Sequence, residues 1–246
     1  MKDLEIQIKK IISEYSGCTG VKIIYSNGEE ISINEEEIFP AASLIKLFIT
    51  LAIDETEYKK IIKIKNDKVG GCGVLKILDS NLKLSIKDLI GLMLCFSDNI
   101  ATNILIDYIG MDKINRVIRE NGFSKTVLAR KMLDKKAKDE GRENYTTPNE
   151  VQRVISLLCR NEIIKNFLLN QGYNNKISLY FAREESIKFA HKTGELKCVE
   201  HDAGRIFYED SWLDIVIMTK NLNNNREGVE INNRIGKYLF ENIKGR

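Results

Sequence analysis

The chain has 246 residues, of which 43% are hydrophobic and 30% are charged, and this make-up is typical of a globular protein with one large core or two lobes. Its formal net charge of +3 arises from 38 basic and 35 acidic residues that are mixed along the chain, so we expect no nucleic-acid partner. The five cysteines are scattered and lack C-x-x-C spacing, which argues against structural zinc and against a disulfide framework.

The first predicted elements lead up to a serine. Residues 1–16 place apolar side chains at helical spacing, which predicts an amphipathic helix. Two alternating segments, 21–25 and 29–33, flank an Asn-Gly pair, and this pattern indicates a β-hairpin with a tight turn. The next apolar helix face starts at Ser43, so this hydroxyl is predicted to lie in the first turn of a helix.

The middle of the chain is predicted to be helical. Ser85 and Asp88 resemble a capping box, and Thr147-Pro148 is a typical helix start. The predicted helices are 85–96, 100–109, 112–121, 147–160 and 161–170. The stretch 129–145 is polar and poorly periodic, so we interpret it as a long surface loop of the kind that is usually functional.

The C-terminal third changes to the period of strands. The predicted strands are 186–193, 204–208 and 212–219, with a hairpin turn at 209–211 and a closing amphipathic helix at 229–240. Because the hairpin near the N-terminus needs partners, we expect all these strands to join in one antiparallel sheet.

The order of elements predicts a mixed α/β fold of the α+β type. Residues 1–42 and 176–246 would form one domain around the sheet, and residues 43–175 would form an inserted helical domain. A site that draws on both parts would lie in the cleft between them.

Three short motifs stand in one order along the chain: an S-x-x-K, an S-D-N and a K-T-G. Their residues are Ser43 with Lys46, Ser97-Asp98-Asn99, and Lys192-Thr193-Gly194. Taken singly, such motifs are most often a helix cap, a polar loop and a strand end. Together they supply a serine nucleophile, two lysines, a second hydroxyl and an amide, which suits an acyl-transfer enzyme with an active-site serine.

A serine hydroxyl needs a base within hydrogen-bond reach to act as a nucleophile at neutral pH. Lys46 follows Ser43 by three residues on one helix face, so we predict that it is this base if burial and a nearby cation lower its pKa. Lys192 is the candidate cation. The backbone N–H groups of Ser43 and Glu195 are the candidate donors to an oxyanion.

The remaining motif residues suit the leaving group and the substrate. We expect Ser97 to pass a proton to the leaving nitrogen and Asn99 to hold a substrate amide. We expect Thr193, together with Lys192, to hold a substrate carboxylate, with Gly194 and Glu195 completing the substrate-binding strand.

The two histidines, His191 and His201, invite comparison with a Ser-His-Asp triad because Asp202 lies next in sequence. In an alternating strand, however, the side chain of His191 points away from that of Lys192. We therefore expect both histidines to be packing or surface residues and not members of a triad.

These motifs make the chain resemble a class A β-lactamase, within the wider group of penicillin-recognising serine hydrolases. The resemblance covers nearly the whole length and includes Ser43 with Lys46 and the segments 97–105, 145–148 and 191–194. It implies a five-stranded antiparallel sheet flanked by helices, beside an all-helical domain. It also implies a two-step reaction in which Ser43 opens a β-lactam amide and water hydrolyses the acyl-enzyme.

The chain departs from this family in the predicted surface loop, where members carry a glutamate that activates the hydrolytic water. Arg130 fits the family's arginine, whereas Asn144 stands where its aspartate partner is expected. Three acidic residues are candidate substitutes for the glutamate, and none is in register: Asp134, which we take as the surrogate base, and Glu140 and Glu143. The resemblance thus implies acylation with slow deacylation.

The sequence leaves four functions open. The first is a β-lactam hydrolase, and the second is a penicillin-binding or peptidase-like protein that acylates but turns over little. The third is an esterase or amidase that acts on a small metabolite, and the fourth is a non-catalytic binding domain. The intact motifs argue against the fourth.

Location and partners are predicted from patterns that the sequence lacks. The N-terminal segment alternates charges and has no continuous apolar stretch of a signal peptide, and no run of about 18 apolar residues occurs. We expect a cytoplasmic protein as the sequence stands, or a secreted one if a leader has been removed. We expect a monomer with a small-molecule substrate, no membrane association and no cofactor.

Overall fold

The structure, a computed structural model, describes residues 2–64, 70–79 and 81–244. The strands are β1 Cys18–Tyr25, β2 Glu30–Ile33, β3 Phe39–Pro40, β4 Ile61–Lys63, β5 Lys83–Ser85, β6 Tyr145–Thr146, β7 Ile187–Leu196, β8 Val199–Tyr208 and β9 Ser211–Lys220. The helices are α1 Lys2–Ser13, α2 Ile45–Leu51, α3 Ile86–Cys95, α4 Asn99–Ile109, α5 Met111–Glu120, α6 Lys135–Asp139, α7 Pro148–Leu158, α8 Glu162–Leu169 and α9 Asn225–Lys244. Met1, part of the predicted first helix, lies outside the described residues.

Five of the strands form one antiparallel sheet in the order β2-β1-β9-β8-β7. β1 pairs with β9 from Cys18 opposite Lys220 to Tyr25 opposite Leu213, so the two ends of the chain meet in the centre of the sheet. The predicted mixed fold with a five-stranded antiparallel sheet and flanking helices is confirmed. β7, which carries the K-T-G motif, forms one edge.

Helices cover both faces of the sheet, which explains why the apolar run of β9 is continuous. Ile215 and Ile217 belong to a cluster with α1 and α9, whereas Val216 and Met218 pack with helices from the middle of the chain. Because successive side chains of a strand point to opposite faces, a strand buried on both faces has no polar alternation. The larger cluster unites both predicted domains, and the boundaries at 42/43 and 175/176 stay a prediction.

Side-chain caps fix the starts of the helices that lead to the motifs. Ser85 and Asp88 form the predicted reciprocal capping box of α3. Asp98 caps α4 by accepting a backbone N–H, and Thr147 caps α7 with Pro148 at its first position. Within the described residues, no helix is both long and apolar enough to cross a membrane.

The stretch 129–145 holds more regular structure than the predicted loop. It contains α6 and ends in β6, which pairs with β3. The side chain of Asn144 joins its two ends, accepting from the N–H groups of Ala129 at 2.8 Å and Arg130 at 3.0 Å. Its Nδ2 donates to the carbonyl of Arg130 at 3.1 Å. The polar residues that suggested an irregular loop are therefore engaged in caps and backbone bonds.

The packing of α9 depends on a glycine. A Cβ on Gly236 would lie 2.2 Å from the carbonyl oxygen of Ile177, so the helix or its neighbour would have to move. We expect Gly236→Ala to lower the free energy of unfolding by a net amount of about 1–2 kcal/mol, despite a gain in helix propensity of about 1 kcal/mol. Urea denaturation measures this change, with exposed Lys237→Ala as the control. Equal stability of the two variants would contradict the close contact.

Candidate active site

Ser43 lies in a 3-10 turn, Ala42–Leu44, that runs directly into α2. Ala42 has a left-handed φ of 47°, a conformation that costs energy for a residue with a side chain and that clusters at functional sites. The turn places half-buried Ser43 on the wall of a cavity of about 400 Å³. The nucleophile candidate therefore borders a space that can admit a small molecule.

Lys46 is fully buried in α2. Its Nζ lies 2.7 Å from the carbonyl oxygen of Ser97, 2.9 Å from Ser97 Oγ and 3.0 Å from Asn99 Oδ1. These contacts join the S-x-x-K and S-D-N motifs, and all three are made to oxygens that carry no formal charge. Ser97 has a left-handed φ of 52°, which turns both its hydroxyl and its carbonyl toward the amine.

Burial and then the positive charge of Lys192 hold the pKa of Lys46 well below its ordinary value. A neutral lysine has two N–H bonds and one lone pair. The two N–H bonds suit the Ser97 carbonyl and the Asn99 amide oxygen, and the Ser97 hydroxyl can turn its hydrogen toward the lone pair. The three contacts are compatible with a neutral amine, and the lowered pKa of Lys46 favours that form, which can take up a proton.

Lys192 is the second fully buried lysine, and its Nζ donates to the carbonyl oxygen of Thr193 at 2.9 Å. Burial and then the charge of Lys176 lower the pKa of Lys192 to about 7, while Asp202 opposes this shift. The charge of Lys192, and with it the field at Lys46, thus changes near neutral pH.

The predicted substrate contacts meet at one cavity. Its described lining includes Ser43, Ser97, Asn99, Thr193, Gly194 and Glu195. Lys46 and Lys192 are buried beside these residues: Lys46 bonds to Ser97 and Asn99, and Lys192 bonds to Thr193. The structure therefore brings all three motifs together, and the chemical role of each residue stays a prediction.

Asp98, to which the sequence assigned no role of its own, anchors the wall opposite the sheet. It is fully buried, and its Oδ2 accepts from the N–H groups of Val74 at 2.6 Å and Leu75 at 2.8 Å. A Cβ on Gly73 would lie 2.4 Å from its carboxyl group, so that position requires a glycine. The carboxylate thus fixes the segment before α3 to the start of α4.

A largely buried ion pair joins the two ends of the stretch 129–145. Arg130 pairs with Glu143 at 2.7 Å, with side-chain exposures of 8% and 14%. The partner of the arginine is thus Glu143, whereas the neighbouring Asn144 bonds the backbone. Both members of the pair line the cavity.

The structure does not bring Asp134, the predicted surrogate base, to the cavity. Its carboxylate accepts from the N–H of Ala137 at 3.0 Å as the cap of α6. Glu140 is exposed and pairs with Arg142. Of the three acidic candidates, only Glu143 lines the cavity.

Met132 occupies the cavity wall near Arg130, and the sequence analysis gave it no role. It is buried, and both of its backbone polar groups bond to the side chain of Asn103, at 2.8 and 3.1 Å. The sequence could have indicated this residue, because it follows Arg130 closely, where the resemblance places a glutamate.

Lys176 is a further buried lysine, and unlike Lys46 and Lys192 it lines the cavity; sequence reasoning missed it. Its Nζ donates to the carbonyl oxygens of Gly194 at 3.0 Å and His201 at 3.1 Å. No spacing pattern connects this residue with the K-T-G motif, because the two meet only through the fold.

His191 is buried within the sheet layer and not at the serine. Its Nδ1 lies 2.7 Å from Asp202 Oδ1, and its Nε2 lies 3.1 Å from Asn174 Oδ1. Its ring stacks on Phe189 with centroids 4.2 Å apart. These contacts are those of a packing residue, as expected.

His201 connects the sheet with the strand that precedes Ser43. Its Nδ1 accepts from the N–H of Thr219 at 3.1 Å, and its Nε2 donates to the carbonyl oxygen of Pro40 at 2.8 Å. Burial lowers its pKa to about 4, so the ring is neutral at neutral pH. Both ring nitrogens are used by backbone groups, which leaves neither for a triad.

The depressed pKa of Lys192 should make stability depend on pH. An unfolded lysine binds its proton below about pH 10.4, whereas folded Lys192 does so only below about pH 7. Between these values the unfolded state binds more protons, so the free energy of unfolding should rise with pH. We expect Lys192→Met to reduce that slope by up to about 1.4 kcal/mol per pH unit.

Urea denaturation between about pH 7.5 and 9.5 measures the slope, with the exposed Lys237→Met as a matched control. The control should keep the slope of the unmodified protein. A Lys192→Met slope equal to that of the control would show that Lys192 is charged throughout this range.

Comparisons with known proteins agree with this geometry. The chain is 33% identical over 132 residues to β-lactamase BRO-1 of Moraxella catarrhalis, and the match spans 48% of this chain and only 42% of that relative. A solved β-lactamase of Sphaerobacter thermophilus is 27% identical, with a TM-score of 0.86 over 99% of this chain and 97% of that one. PBP-A, at 22% identity and a TM-score of 0.85 over 100% and 97% of the two chains, shares the fold. The sequence profile of the Beta-lactamase enzyme family matches residues 3–243, and the protein therefore belongs to that family.

Proposed function

We propose that this member of a hydrolase family opens β-lactam amides through an acyl-enzyme on Ser43 and hydrolyses that intermediate slowly. One observation carries the proposal: the buried amine of Lys46 contacts Ser97 and Asn99, and these two residues line the same cavity as Ser43. The substrate class is supported by the β-lactamase names of the relatives.

In the acylation step, Ser43 Oγ bonds to the carbonyl carbon of the substrate and the C–N bond breaks. The serine proton passes to the neutral amine of Lys46, directly or through Ser97. Ser97 gives its proton to the leaving nitrogen and takes a proton back from Lys46, so that both groups return to their starting state. The N–H groups of Ser43 and Glu195 stabilise the negative charge on the carbonyl oxygen. The contact of 2.9 Å between Lys46 Nζ and Ser97 Oγ supports this route.

The substrate is held by the remaining motif residues in this proposal. Asn99 binds the amide of the acyl side chain, and Thr193 binds the carboxylate with the charge of Lys192 behind it. Asn99 and Thr193 line the cavity, and the bond from Lys192 Nζ to the carbonyl of Thr193 keeps this charge close.

Deacylation is proposed to be slow because the cavity offers a poor base to water. Among its described lining residues, the carboxylates are those of Glu143 and Glu195. The carboxylate of Glu143 is occupied by its ion pair with Arg130, and Glu195 is exposed to solvent. The apolar side chain of Met132 lies near Arg130, where the family resemblance implies a glutamate.

The poor supply of a base at the cavity also favours a second candidate, a penicillin-binding or peptidase-like protein that acylates without useful turnover. A mutant of PBP-A, which has the same fold, was solved as an acyl-enzyme complex with penicillin G. Steady hydrolysis of a chromogenic cephalosporin would support the β-lactamase, whereas a stoichiometric burst would support the second candidate.

Ser43 should be the residue that carries the acyl group. Incubation with penicillin G should add one penicillin to the protein, as measured by mass spectrometry, and Ser43→Ala should abolish the adduct because no nucleophile remains. Exposed Ser26→Ala is the control and should be labelled like the unmodified protein. An unlabelled unmodified protein, or a labelled Ser43→Ala, would refute the proposed function.

A carboxylate at position 132 should speed turnover. Met132→Glu would place a base on the cavity wall, and general bases contribute about 10²–10⁴-fold to such steps, so we expect deacylation to accelerate at least about tenfold. The burst amplitude and decay of the acyl-enzyme measure this change. Met132→Gln is nearly isosteric and should stay slow, and equal decay rates for the two variants would argue against a missing base.

A further inference from the structure

Lys176 is a buried lysine on the cavity wall whose amine contacts three oxygens of the protein. Its Nζ bonds to the carbonyl oxygens of Gly194 and His201, at 3.0 and 3.1 Å, and lies 2.5 Å from the carboxylate of Glu200. The side chains of Lys176 and Glu200 are 4% and 3% exposed. Because two of its N–H bonds are directed at backbone carbonyls and its charge is paired with the buried carboxylate of Glu200, Lys176 is already engaged by the protein and is not a free cation for a substrate anion.

The carbonyl of Gly194 belongs to the same peptide unit as the N–H of Glu195. In a trans peptide these two groups point in opposite directions, and the described chain contains no cis peptide. The carbonyl faces Lys176 and β8, so the N–H faces the free side of the edge strand β7. Both Gly194 and Glu195 line the cavity that Ser43 borders.

We propose that Lys176 is a positioning residue that holds and polarises the Gly194–Glu195 peptide, so that the N–H of Glu195 is preset as a strong donor to the oxyanion formed at Ser43. The inference rests on the proposed function, because an oxyanion forms only if Ser43 is acylated.

The positive charge of Lys176 polarises the carbonyl of Gly194, and this makes the N–H of Glu195, in the same peptide unit, a stronger hydrogen-bond donor. Charge-assisted hydrogen bonds are shorter and stronger than neutral ones, and hydrogen bonds in a row polarise one another. The benefit is greatest for the transition state, where negative charge develops on the substrate oxygen. Lys176 should therefore affect the rate of acylation more than the binding of the substrate.

The bond to His201 adds rigidity to the same peptide. Gly194 and His201 are directly opposed in the register of β7 and β8, and one ammonium clamps both carbonyls. The backbone N–H of Ile177, next to Lys176, bonds to Asp202 Oδ2 at 3.1 Å, which fixes the lysine's own backbone to β8. A preset donor requires such fixed supports.

The test uses the full chain with Lys176→Met and Glu200→Gln combined, since the second change avoids an unpaired buried carboxylate. The rate of acylation by a chromogenic cephalosporin should fall about 10- to 100-fold, while the affinity of the preceding non-covalent complex changes by less than about threefold. The carbonyl stretching band of the acyl-enzyme should move to higher frequency, because its oxygen accepts weaker hydrogen bonds.

Lys22→Met with Glu30→Gln is the matched control. Lys22 is also buried in the sheet and paired with a glutamate, at 2.9 Å, but it lies on β1, away from the K-T-G strand. Acylation and the carbonyl band of this control should equal those of the unmodified protein. A Lys176 variant that matches the control in both measurements would overturn the inference and leave the proposed function intact.

Two further outcomes are separable. If the double variant does not fold, Lys176→Gln, which keeps a neutral donor near Glu200, should show the same changes to a smaller degree, and unchanged values would overturn the inference. If the unmodified protein is not acylated at all, the proposed function fails and this inference falls with it.

Discussion

The buried amine of Lys46 is the constraint on which the rest of the site depends. An ammonium group inside a protein needs a counter-charge, and the partners of Lys46 are a carbonyl, an amide and a hydroxyl oxygen. The surroundings therefore favour the neutral amine, which is the form that can take a proton from a serine. Burial of a lysine normally costs free energy of folding. Here it keeps the amine of Lys46 reactive, provided that α2 and the turn at Ser97 hold Lys46 and its partners in place.

Three other buried charges hold the walls of the cavity, and each of them has a partner. Asp98 fixes the helical wall by binding backbone N–H groups, Arg130 fixes the loop through its ion pair, and Lys176 fixes the sheet edge. The site thus separates two tasks. The charged groups that have partners hold the cavity walls in place, whereas the buried amines without a counter-charge are the groups available for proton transfer.

Much of the fold could be predicted because periodicity reports burial directly. The strands of the C-terminal third could be predicted from their alternating apolar side chains. That the segments of Ser43, Ser97 and Lys192 meet could be predicted from the order of the three motifs along the chain. The side chains that close the site could not be predicted in this way. The arginine of the loop pairs with Glu143 while the adjacent Asn144 bonds the backbone, and a sequence does not show which neighbour turns inward.

The positions of two side chains could not be predicted from the sequence for the same physical reason, competition between local and distant partners. Asp134 has a carboxylate, as a base requires. In the structure this carboxylate accepts from the backbone N–H of Ala137 and so caps α6. Lys176 lacked any recognisable motif, and its partners come from β7 and β8, which only the folded chain brings near. Residues whose partners are distant in sequence are the ones that spacing cannot reveal.

The hydrogen bonds of the His201 imidazole determine how the segment that carries Ser43 is attached to the sheet. With Nδ1 accepting from Thr219 and Nε2 donating to Pro40, the ring fits in one tautomer only, and a second proton would set two N–H groups against each other. Because its pKa is about 4, this conflict is absent through mildly acidic conditions, although the folded state loses stability as an unfolded histidine gains its proton below about pH 6.5. The conflict concerns the Thr219 N–H, whereas Nε2 can donate to Pro40 in either protonation state, so the bond that attaches the strand ahead of Ser43 to the sheet does not depend on the charge of the ring.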